Sequence, residues 1–580
     1  MAGDTLDRSR DRSQPVAKLC SNEQLKARSR FLRGDIAQGL IDSSTRAVPG
    51  DDTLLMKFHG IYMQDDRDQR SDRQRRKLEP NYQFMVRLRI PGGVLSTSQW
   101  LGLDKLARHF AERGLRITTR QTIQLHGVRK PRLRACMQAI RDIGLDTIAA
   151  CGDDSRGVIC GFNVQSAPVQ RQVASLARQT SQLLIPRTGA YREIWYGEDV
   201  VYKNQLEDPD YGETYLPRKF KVGFALPPVN DIDVYGQDVG FIAITEGDSL
   251  AGFNVVVGGG MGQLDTRDDS YPRLAEPAGF VAAERAPALA LAIMTIQRDY
   301  GDRVDRHRAR FKYTLDRLGM DSFLELLTQR WGEPLQPPRA FTFTHNGDPQ
   351  GLQQDSEGLW HATLEIANGR IQGALQDQLQ GFVQSFAGYL RLTTNQNLIL
   401  GGIEPDLLET SQWRLDDLGL AARLSPSLQS TYSLSCVALP TCGLAMAEAE
   451  RIMPQLLQRF EDSKASFGLQ DIPITLRVTG CPNGCARPYI AEIGLTGRAP
   501  NLYNLYLGGG FHGERLNQLY ASNVSIDRAF ELLDPLLARF AAGRQAGEHF
   551  GDYLIRCRIV QAIAHGSDPQ RMIPVLEEHS

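Results

Sequence analysis

The feature that most constrains the fold is an internal repeat of about 250 residues. Residues 114–128 align with residues 389–403 at an offset of 275, with seven of fifteen positions identical and three more apolar in both. A triple glycine also occurs twice, within 257–262 and 507–513, at an offset of 250. This long period indicates a duplicated module rather than a solenoid of short units. We therefore expect two copies related by pseudo-symmetry, with a ligand crevice at their junction.

Strand and helix patterns occur in both halves of the chain. Alternating apolar residues predict strands at residues 83–90, 115–125, 220–226, 240–245 and 252–257. Helical spacing predicts helices at residues 100–113, 171–184, 444–459 and 526–539. The class is α+β or α/β. Residues 65–77 form a charge run, which is more often a solvated face or arm than a binding site.

The composition excludes several classes of protein. The chain has 580 residues, a net charge of −2 and nine cysteines. These values give no global field for nucleic acid or an anionic membrane, and no disulfide scaffold. The longest apolar run, residues 286–296, contains a proline and is too short to span a membrane. We expect a cytoplasmic, multidomain protein with reduced thiols.

Four of the nine cysteines form two close pairs. Cys436 and Cys442 have five residues between them, Cys481 and Cys485 have three, and 38 residues separate the pairs. Four thiolates from two turns can hold zinc or an iron–sulfur cluster. The apolar surroundings favour a 4Fe–4S cluster over zinc, because a cluster needs an insulating shell. Four buried structural cysteines are the remaining interpretation.

Basic residues recur two or four positions apart along predicted strands, where alternate side chains share a face. These are Arg87 with Arg89, Arg116 with Arg120, and Lys219 with Lys221, while Arg156 lies in a turn rich in glycine and aspartate. Buried positive charge is costly unless it meets an anion. Converging Arg and Lys therefore indicate a site for carboxylates or a small oxyanion. For any single pair, a solvent-exposed sheet face is the commoner explanation.

The two copies differ at their polar positions. Arg116 corresponds to Arg391, but Arg120 and His126 correspond to an asparagine and a glycine. This difference is expected when one copy carries the function and the other is a scaffold. His126 alone is more often a core histidine than a catalyst. The glycines at 258–262 do not open a helix, so the dinucleotide fingerprint is not met and electrons must come from another protein.

Taken together, these motifs resemble the sulfite and nitrite reductase family. The resemblance rests on the two cysteine pairs, on Leu-Pro-Arg-Lys-Phe-Lys at 216–221 and on Leu-Arg-Ile-Thr-Thr-Arg-Gln at 115–121, and covers about residues 50–555. It implies siroheme and a 4Fe–4S cluster joined by a shared thiolate. The implied reaction is six-electron reduction of sulfite to sulfide, in sulfate assimilation and cysteine biosynthesis. The implied donor is a flavoprotein (alpha) subunit that oxidises NADPH and carries FAD and FMN.

The resemblance also assigns roles to residues. The implied cluster ligands are Cys436, Cys442, Cys481 and Cys485, with Cys485 also axial to the siroheme iron. The implied catalytic, sulfite-binding residues are Arg87, Arg156, Lys219 and Lys221. The implied siroheme-binding residues are Arg116, Arg120, Gln121, His126, Asn483 and Arg487. Relatives often have Gly-Arg after the last cysteine, where this chain has Ala486-Arg487.

The implied fold is α+β, with a duplicated module of ferredoxin-like repeats and two related α/β domains that bind siroheme and the cluster. The expected boundaries are an arm at 1–79, repeats at 80–148 and 345–424, and domains at 149–344 and 425–580. The arm is a candidate docking site for the flavoprotein. Deleting residues 1–60 is then expected to weaken donor-driven turnover but spare turnover with a small reductant.

Two other functions stay open from the sequence. One is a ferredoxin-dependent siroheme nitrite or sulfite reductase on the same scaffold. The other, more remote, is a zinc-stabilised binding protein without catalysis.

Overall fold

A computed structural model describes residues 6–187, 193–196, 199–203, 208–264, 266–267 and 269–563. Within those ranges, no helix combines the length and apolar character needed to cross a membrane.

The strands, in chain order, are β1 Ile61–Asp65, β2 Tyr82–Arg87, β3 Val94–Ser96, β4 Leu115–Ile117, β5 Ile123–Val128, β6 Ile159–Cys160, β7 Glu193–Tyr196, β8 Asp199–Lys203, β9 Val222–Ala225, β10 Val239–Glu246, β11 Ser249–Val257, β12 Glu276–Ala282, β13 Gly351–Gln354, β14 Trp360–Leu364, β15 Arg370–Ile371, β16 Tyr389–Leu392, β17 Leu398–Ile403, β18 Ser433–Ser435, β19 Leu476–Thr479, β20 Ile493–Ala499, β21 Leu502–Leu507 and β22 Gln518–Val524.

The α-helices are α1 Ser21–Arg28, α2 Ile36–Ile41, α3 Gly50–Leu55, α4 Arg70–Arg75, α5 Thr97–Phe110, α6 Leu133–Asp142, α7 Ala167–Leu183, α8 Ala286–Tyr300, α9 Phe311–Leu318, α10 Met320–Trp331, α11 Ala374–Val383, α12 Leu408–Asp417, α13 Leu428–Thr431, α14 Met453–Ser466, α15 Ile526–Gly543 and α16 Phe550–Arg556.

The first pair of related sheets exchanges edge strands. One sheet has the order β1-β2-β5-β4-β15 and the other β13-β14-β17-β16-β3, so each receives its last strand from the other half of the chain. The exchange is antiparallel in both cases, with Ile371 opposite Leu115 and Leu390 opposite Leu95. Side chains from both halves form one apolar core beneath the two sheets. The predicted pseudo-two-fold α+β fold is confirmed.

The second pair of sheets repeats a mixed pattern. In β12-β11-β10-β9-β6, strands β6, β9 and β10 run parallel and the remaining strands are antiparallel. In β18-β19-β20-β21-β22, strands β18 to β20 are parallel and β21 and β22 antiparallel. The two sheets therefore have the same topology, as the 250-residue repeat predicts. The domain boundaries stay a prediction.

The amino-terminal segment packs against the first copy. Leu25, Leu32, Leu55 and Phe58 are buried in the same apolar core as the β9–β12 sheet. Further along, β1 pairs with β2 and so forms the edge of the first sheet. Part of the predicted arm therefore contributes to both the core and a sheet.

One predicted helix begins later than its sequence pattern suggests. Helix α14 begins at Met453, and residues 444–452 form turns instead of the predicted helix start. The backbone N–H groups of Met446 and Ala447 both donate to Gly480 O, at 2.7 and 3.1 Å. These contacts hold the residues after Cys442 against the second cysteine loop in a non-helical conformation. Tertiary contact therefore overrides helix propensity here.

Candidate active site

The predicted functional side chains lie at the ends of parallel strands. In the first copy, Arg156 precedes β6, and Lys219 and Lys221 precede β9, so cations lie at the amino ends of these strands. In the second copy, Cys436 directly follows β18 and Cys481 follows β19, so thiols lie at the carboxyl ends. The two copies supply different chemistry from opposite ends of equivalent strands.

The two copies contact each other beside these strand ends. Gln263 N donates to Pro482 O at 3.1 Å, which joins the first glycine loop to the second cysteine loop. The buried Asp233 carboxylate of the first copy pairs with Arg477 at 2.7 Å and also with Arg487. Both arginines belong to the second copy. The ion pairs fix the cysteine loop against the first copy, and the ligand crevice expected at this junction stays a prediction.

Two loops bring the four paired cysteines into one site. Burial raises the pKa of the Cys436, Cys442 and Cys481 thiols, and for each of them the neighbouring Cys485 raises the pKa further. Gly480 N donates to Cys436 Sγ at 3.3 Å. Because one thiol influences the other three, the pairs that the sequence separates by 38 residues share one location.

The chemistry of four thiols suits two kinds of centre. Zinc is held by up to four thiolates, each about 2.3 Å from one ion. A 4Fe–4S cluster is likewise held by four cysteine thiolates. The choice of a cluster over zinc stays a prediction.

Cys485 connects the thiols to the cations. It is the exposed member of the four cysteines. Burial lowers the pKa of Lys221 to about 7, with further lowering by Arg120 and Arg310, while Asp238 and Cys485 oppose that shift. Cys485 is thus close enough to act electrostatically on both the thiol group and the Lys221 ammonium.

Lys219 and Lys221 are half-buried cations. Burial, followed by the positive charges of Arg218 and Lys221, lowers the pKa of Lys219 well below its usual value. Among the described residues, neither ammonium group has a hydrogen-bond or ion-pair partner. Two partly desolvated ammonium groups without an ion-pair partner among these residues can bind an anion.

Arg156 is fixed in the turn that precedes β6. Its Nη1 donates to Ala150 O at 2.8 Å and its Nη2 to Gly152 O at 2.9 Å. Its Nε is buried and has no hydrogen-bond partner among the described residues. Burial lowers the pKa of Arg156, but Tyr62 and Cys151 outweigh burial and the net pKa is raised. Arg156 therefore stays positively charged, and its Nε–H donates to no described residue.

Arg87 shares its surroundings with Arg156. Its Nη1 donates to Cys151 Sγ at 3.2 Å, and its guanidinium lies 5.6 Å from the centre of the Tyr62 ring. The Lys57 ammonium lies 5.7 Å from the same ring. Tyr62 and Cys151 thus hold the two predicted sulfite-binding arginines together. Tyr62 and Cys151 were not among the predicted site residues, although Tyr62 lies within the region of resemblance.

Two family models match this chain. The nitrite and sulphite reductase 4Fe-4S domain matches residues 177–335, and the nitrite/sulfite reductase ferredoxin-like half domain matches residues 75–143 and 352–417. The chain is also 52% identical to the sulfite reductase (NADPH) hemoprotein beta-component of Afipia carboxidovorans, over 97% of this chain and 98% of that protein. The chain belongs to the nitrite and sulfite reductase family.

Other members of the family are similar over the same length. The protein of the same description from Nitrobacter hamburgensis is 51% identical over 97% of this chain and 98% of that protein. The solved structure of the Mycobacterium tuberculosis NirA protein superposes with a TM-score of 0.75 at 25% identity, covering 96% of this chain and 98% of that one. The predicted family membership is confirmed.

The family models locate the duplicated parts but not the cysteines. The 4Fe-4S domain match ends at residue 335, before Cys436, so it includes none of the four thiols. All four lie in the second copy. The ligand assignment therefore rests on the geometry of the loops and stays a prediction.

Two predicted cofactor-binding arginines keep an unused donor at the junction. Arg120 donates to Gln237 Oε1 at 2.9 Å and Gly157 O at 2.7 Å, and Arg487 donates to Asp233. Arg120 Nε and Arg487 Nη2 are buried without a hydrogen-bond partner among the described residues. Both can donate to a bound group that carries carboxylates.

The other predicted cofactor-binding residues are engaged within the protein. The Gln121 amide exchanges two hydrogen bonds with the Cys160 backbone, each 2.8 Å long. His126 Nε2 lies 3.2 Å from Gln124 Oε1, and burial holds the pKa of His126 well below its usual value. Asn483 Nδ2 lies 3.5 Å from Cys481 Sγ. Their assignment to a cofactor stays a prediction.

None of the three predicted pairs of basic residues lies within one strand, and Lys219 and Lys221 both precede β9. Strand β2 ends at Arg87, and Arg89 lies beyond it and donates to Ser155 O and Ser181 O, both at 2.9 Å. Buried guanidinium groups are satisfied here by backbone carbonyls rather than by an anion.

Arg116 and Arg120 diverge for a similar reason. Strand β4 ends at Ile117, so a turn separates the two arginines. Arg116 Nε donates to Glu450 Oε2 at 3.0 Å, and the same carboxylate pairs with Arg370. Arg116 therefore faces the second copy near the first cysteine loop, while Arg120 faces the cations of the first copy.

Proposed function

We propose that this chain reduces sulfite to sulfide at a siroheme coupled to a 4Fe–4S cluster. The observation that carries the proposal is the position of Cys485, which acts electrostatically on the other three thiols and on Lys221. A ligand shared by the cluster and the siroheme must lie between the other three thiols and the anion site, as Cys485 does. The names of the relatives, sulfite reductase (NADPH) hemoprotein beta-component, support the same substrate.

The residues present fit both cofactors. The four thiols Cys436, Cys442, Cys481 and Cys485 would hold the cluster, and Cys485 would be the thiol shared with the siroheme. The buried donors Arg120 Nε and Arg487 Nη2 lack partners among the described residues and suit the carboxylates of a siroheme. Cofactor carboxylates would thus accept hydrogen bonds from N–H groups that lack an acceptor among the described residues.

Sulfite would bind against four cations. Arg87, Arg156, Lys219 and Lys221 neutralise the dianion and polarise its S–O bonds. Arg156 Nε, which makes no hydrogen bond to a described residue and lies 3.9 Å from Asp154 Oδ1, could donate to a sulfite oxygen. When bound, a siroheme coupled to a cluster would supply electrons one at a time.

The lysines would also supply protons. Reduction of sulfite consumes six electrons and releases its three oxygens as water, so protons must reach each departing oxygen. The low pKa values of Lys219 and Lys221 make their ammonium groups better acids than ordinary lysines. Solvent would then reprotonate them after each transfer.

Electrons would come from a partner subunit, since the chain lacks a nucleotide fingerprint and its relatives are named as beta-components. We propose a flavoprotein with FAD and FMN as the donor. Leu444 and Met446, 68% and 42% exposed, form an apolar surface beside Cys442 where such a donor could approach the cluster. We also propose a cytoplasmic location, where thiols stay reduced.

A comparison of two substrates tests the proposed function. The purified holoenzyme is assayed with a chemical reductant on sulfite and on nitrite, and sulfide is measured directly. We expect sulfide formation and a higher kcat/KM for sulfite. A higher kcat/KM for nitrite would favour the nitrite reductase alternative, and no turnover of either anion would contradict the proposal.

A further inference from the structure

A buried ionic network links the amino-terminal segment to the proposed sulfite site. The network is centred on the carboxylate of Asp153, which lies in the same turn as Arg156. Its members are Glu23, Lys26, Asp153, Arg218, Arg303 and Arg306. We call this set the Asp153 network.

Asp153 is shared by three cations. Arg306 binds it through two hydrogen bonds of 2.7 and 2.9 Å, and Lys26 Nζ and Arg218 Nη1 each lie 3.7 Å away. Burial raises the pKa of Asp153, but Arg306, Lys26 and Arg218 outweigh burial and hold the pKa well below its usual value. Asp153 is thus a buried carboxylate that stays charged because of these partners.

Two cations of the Asp153 network, Lys26 and Arg303, also hold the backbone just before Lys219 and Lys221. Lys26 Nζ donates to Leu216 O at 2.8 Å, and Arg303 Nη2 donates to Tyr215 O at 2.6 Å. Lys219 follows three residues after Leu216. The segment before β9 is therefore anchored from α1 by a side chain that enters from a distant part of the chain.

The turn and the segment are also tied to each other. Leu216 N donates to Asp153 O at 3.1 Å, and Arg156 N donates to Phe220 O at 2.8 Å. A shift at Asp153 would therefore move both Arg156 and the lysine segment. Lys26 in turn is fixed by Glu23, whose Oε1 lies 2.5 Å from Lys26 Nζ.

We propose that Lys26 is a positioning residue for the anion site, through which the amino-terminal segment sets the geometry of Arg156, Lys219 and Lys221. The inference rests on the proposed function, because it takes these three residues to bind the substrate. It also changes the expectation for the arm. Deleting residues 1–60 removes Glu23 and Lys26, so turnover with a small reductant should fall together with donor-driven turnover.

The test is Lys26→Met in the full-length holoenzyme, with a small chemical reductant. We expect the KM for sulfite to rise about tenfold while kcat falls less than about threefold, since the cations are displaced rather than removed. Cofactor content should not change. Lys26→Arg, which keeps the charge, should restore much of the lost affinity.

Lys464→Met is the matched control. Lys464 is 1% exposed, as Lys26 is 3% exposed, and it donates to Gln429 Oε1 and Ile472 O in the second copy, away from the anion site. Its loss should cost stability without raising KM. An unchanged KM in Lys26→Met, or an equal rise in Lys464→Met, would overturn the inference.

A second variant and a second substrate complete the experiment. If Lys26→Met does not fold, Glu23→Gln with Lys26→Met removes both charges of the pair and is assayed in its place. KM is measured for nitrite as well as sulfite in every variant. A nitrite preference in the wild type would refute the proposed substrate. If Lys26 positions the site, Lys26→Met would still raise the KM for whichever anion the site takes.

Discussion

Lys221 carries its charge where burial and neighbouring cations oppose it. Burial, Arg120 and Arg310 lower the pKa of this ammonium to about 7, far below that of a lysine in water. In the proposed reaction the cationic form would bind the anion and donate its proton, so it would have to be present in the free enzyme. The pKa of one side chain therefore sets a limit on the pH range of activity.

We predict that kcat/KM for sulfite falls as pH rises through about 7, because the group with the lowered pKa loses its proton there. Lys221→Arg should shift this alkaline limb to higher pH, since a guanidinium stays protonated. Sulfite's own titration is common to both proteins and cancels in the comparison. Superimposable pH profiles would show that Lys221 does not control the limb.

The chemistry of single residues could be predicted from the sequence, but the residues that contact them could not. Four cysteines in two close pairs, and lysines in a short motif, are visible as residue types at fixed spacing. The support from Tyr62 and Asp153 was not predictable, because it depends on contacts between segments far apart in the chain. Arg89 was misjudged because the strand ends two residues before it.

At the scale of elements, two equivalent glycines allow the exchange of edge strands. Gly93 precedes β3 and Gly369 precedes β15, both with φ in the left-handed region, at 74° and 71°. A Cβ at Gly93 would lie 2.5 Å from Leu392 O, and one at Gly369 would collide with Ile117 O. Each glycine lets its strand reach the sheet of the other half.

We predict that Gly93→Ala and Gly369→Ala each destabilise the protein by about 2 kcal/mol, through left-handed backbone and steric overlap. Gly50→Ala is the control, because a Cβ there meets no atom within 4 Å. It should change stability by less than about 1 kcal/mol. The midpoint of thermal unfolding reports both effects, and equal midpoints for Gly93→Ala and Gly50→Ala would refute the packing argument.

The repeat predicted the paired sheets because apolar alternation is a local property of each strand. The late start of α14 was not predictable from the same pattern. Residues 444–452 have helix-forming composition, but Gly480 and Arg67 bind their backbone from other loops. Local propensity fails where a functional loop is held by tertiary contacts.

At the scale of the whole molecule, duplication is followed by a division of roles. The first copy presents cations at the amino ends of its parallel strands, and the second presents thiols at the carboxyl ends of the equivalent strands. Neither copy alone contains both the anion site and the cysteines. The amino-terminal segment adds Lys26 and Glu23 to the first copy, so three parts of the chain build one site.

The absorption spectrum of the purified protein, with iron and acid-labile sulfide determined on the same sample, tests the central claim most directly. We expect siroheme bands together with cluster absorbance in the wild type. We expect the loss of this coupled spectrum in Cys485→Ser but not in Cys557→Ser, which alters a cysteine outside the two pairs. Zinc in place of iron, or an unchanged spectrum in Cys485→Ser, would refute a coupled siroheme and cluster at Cys485.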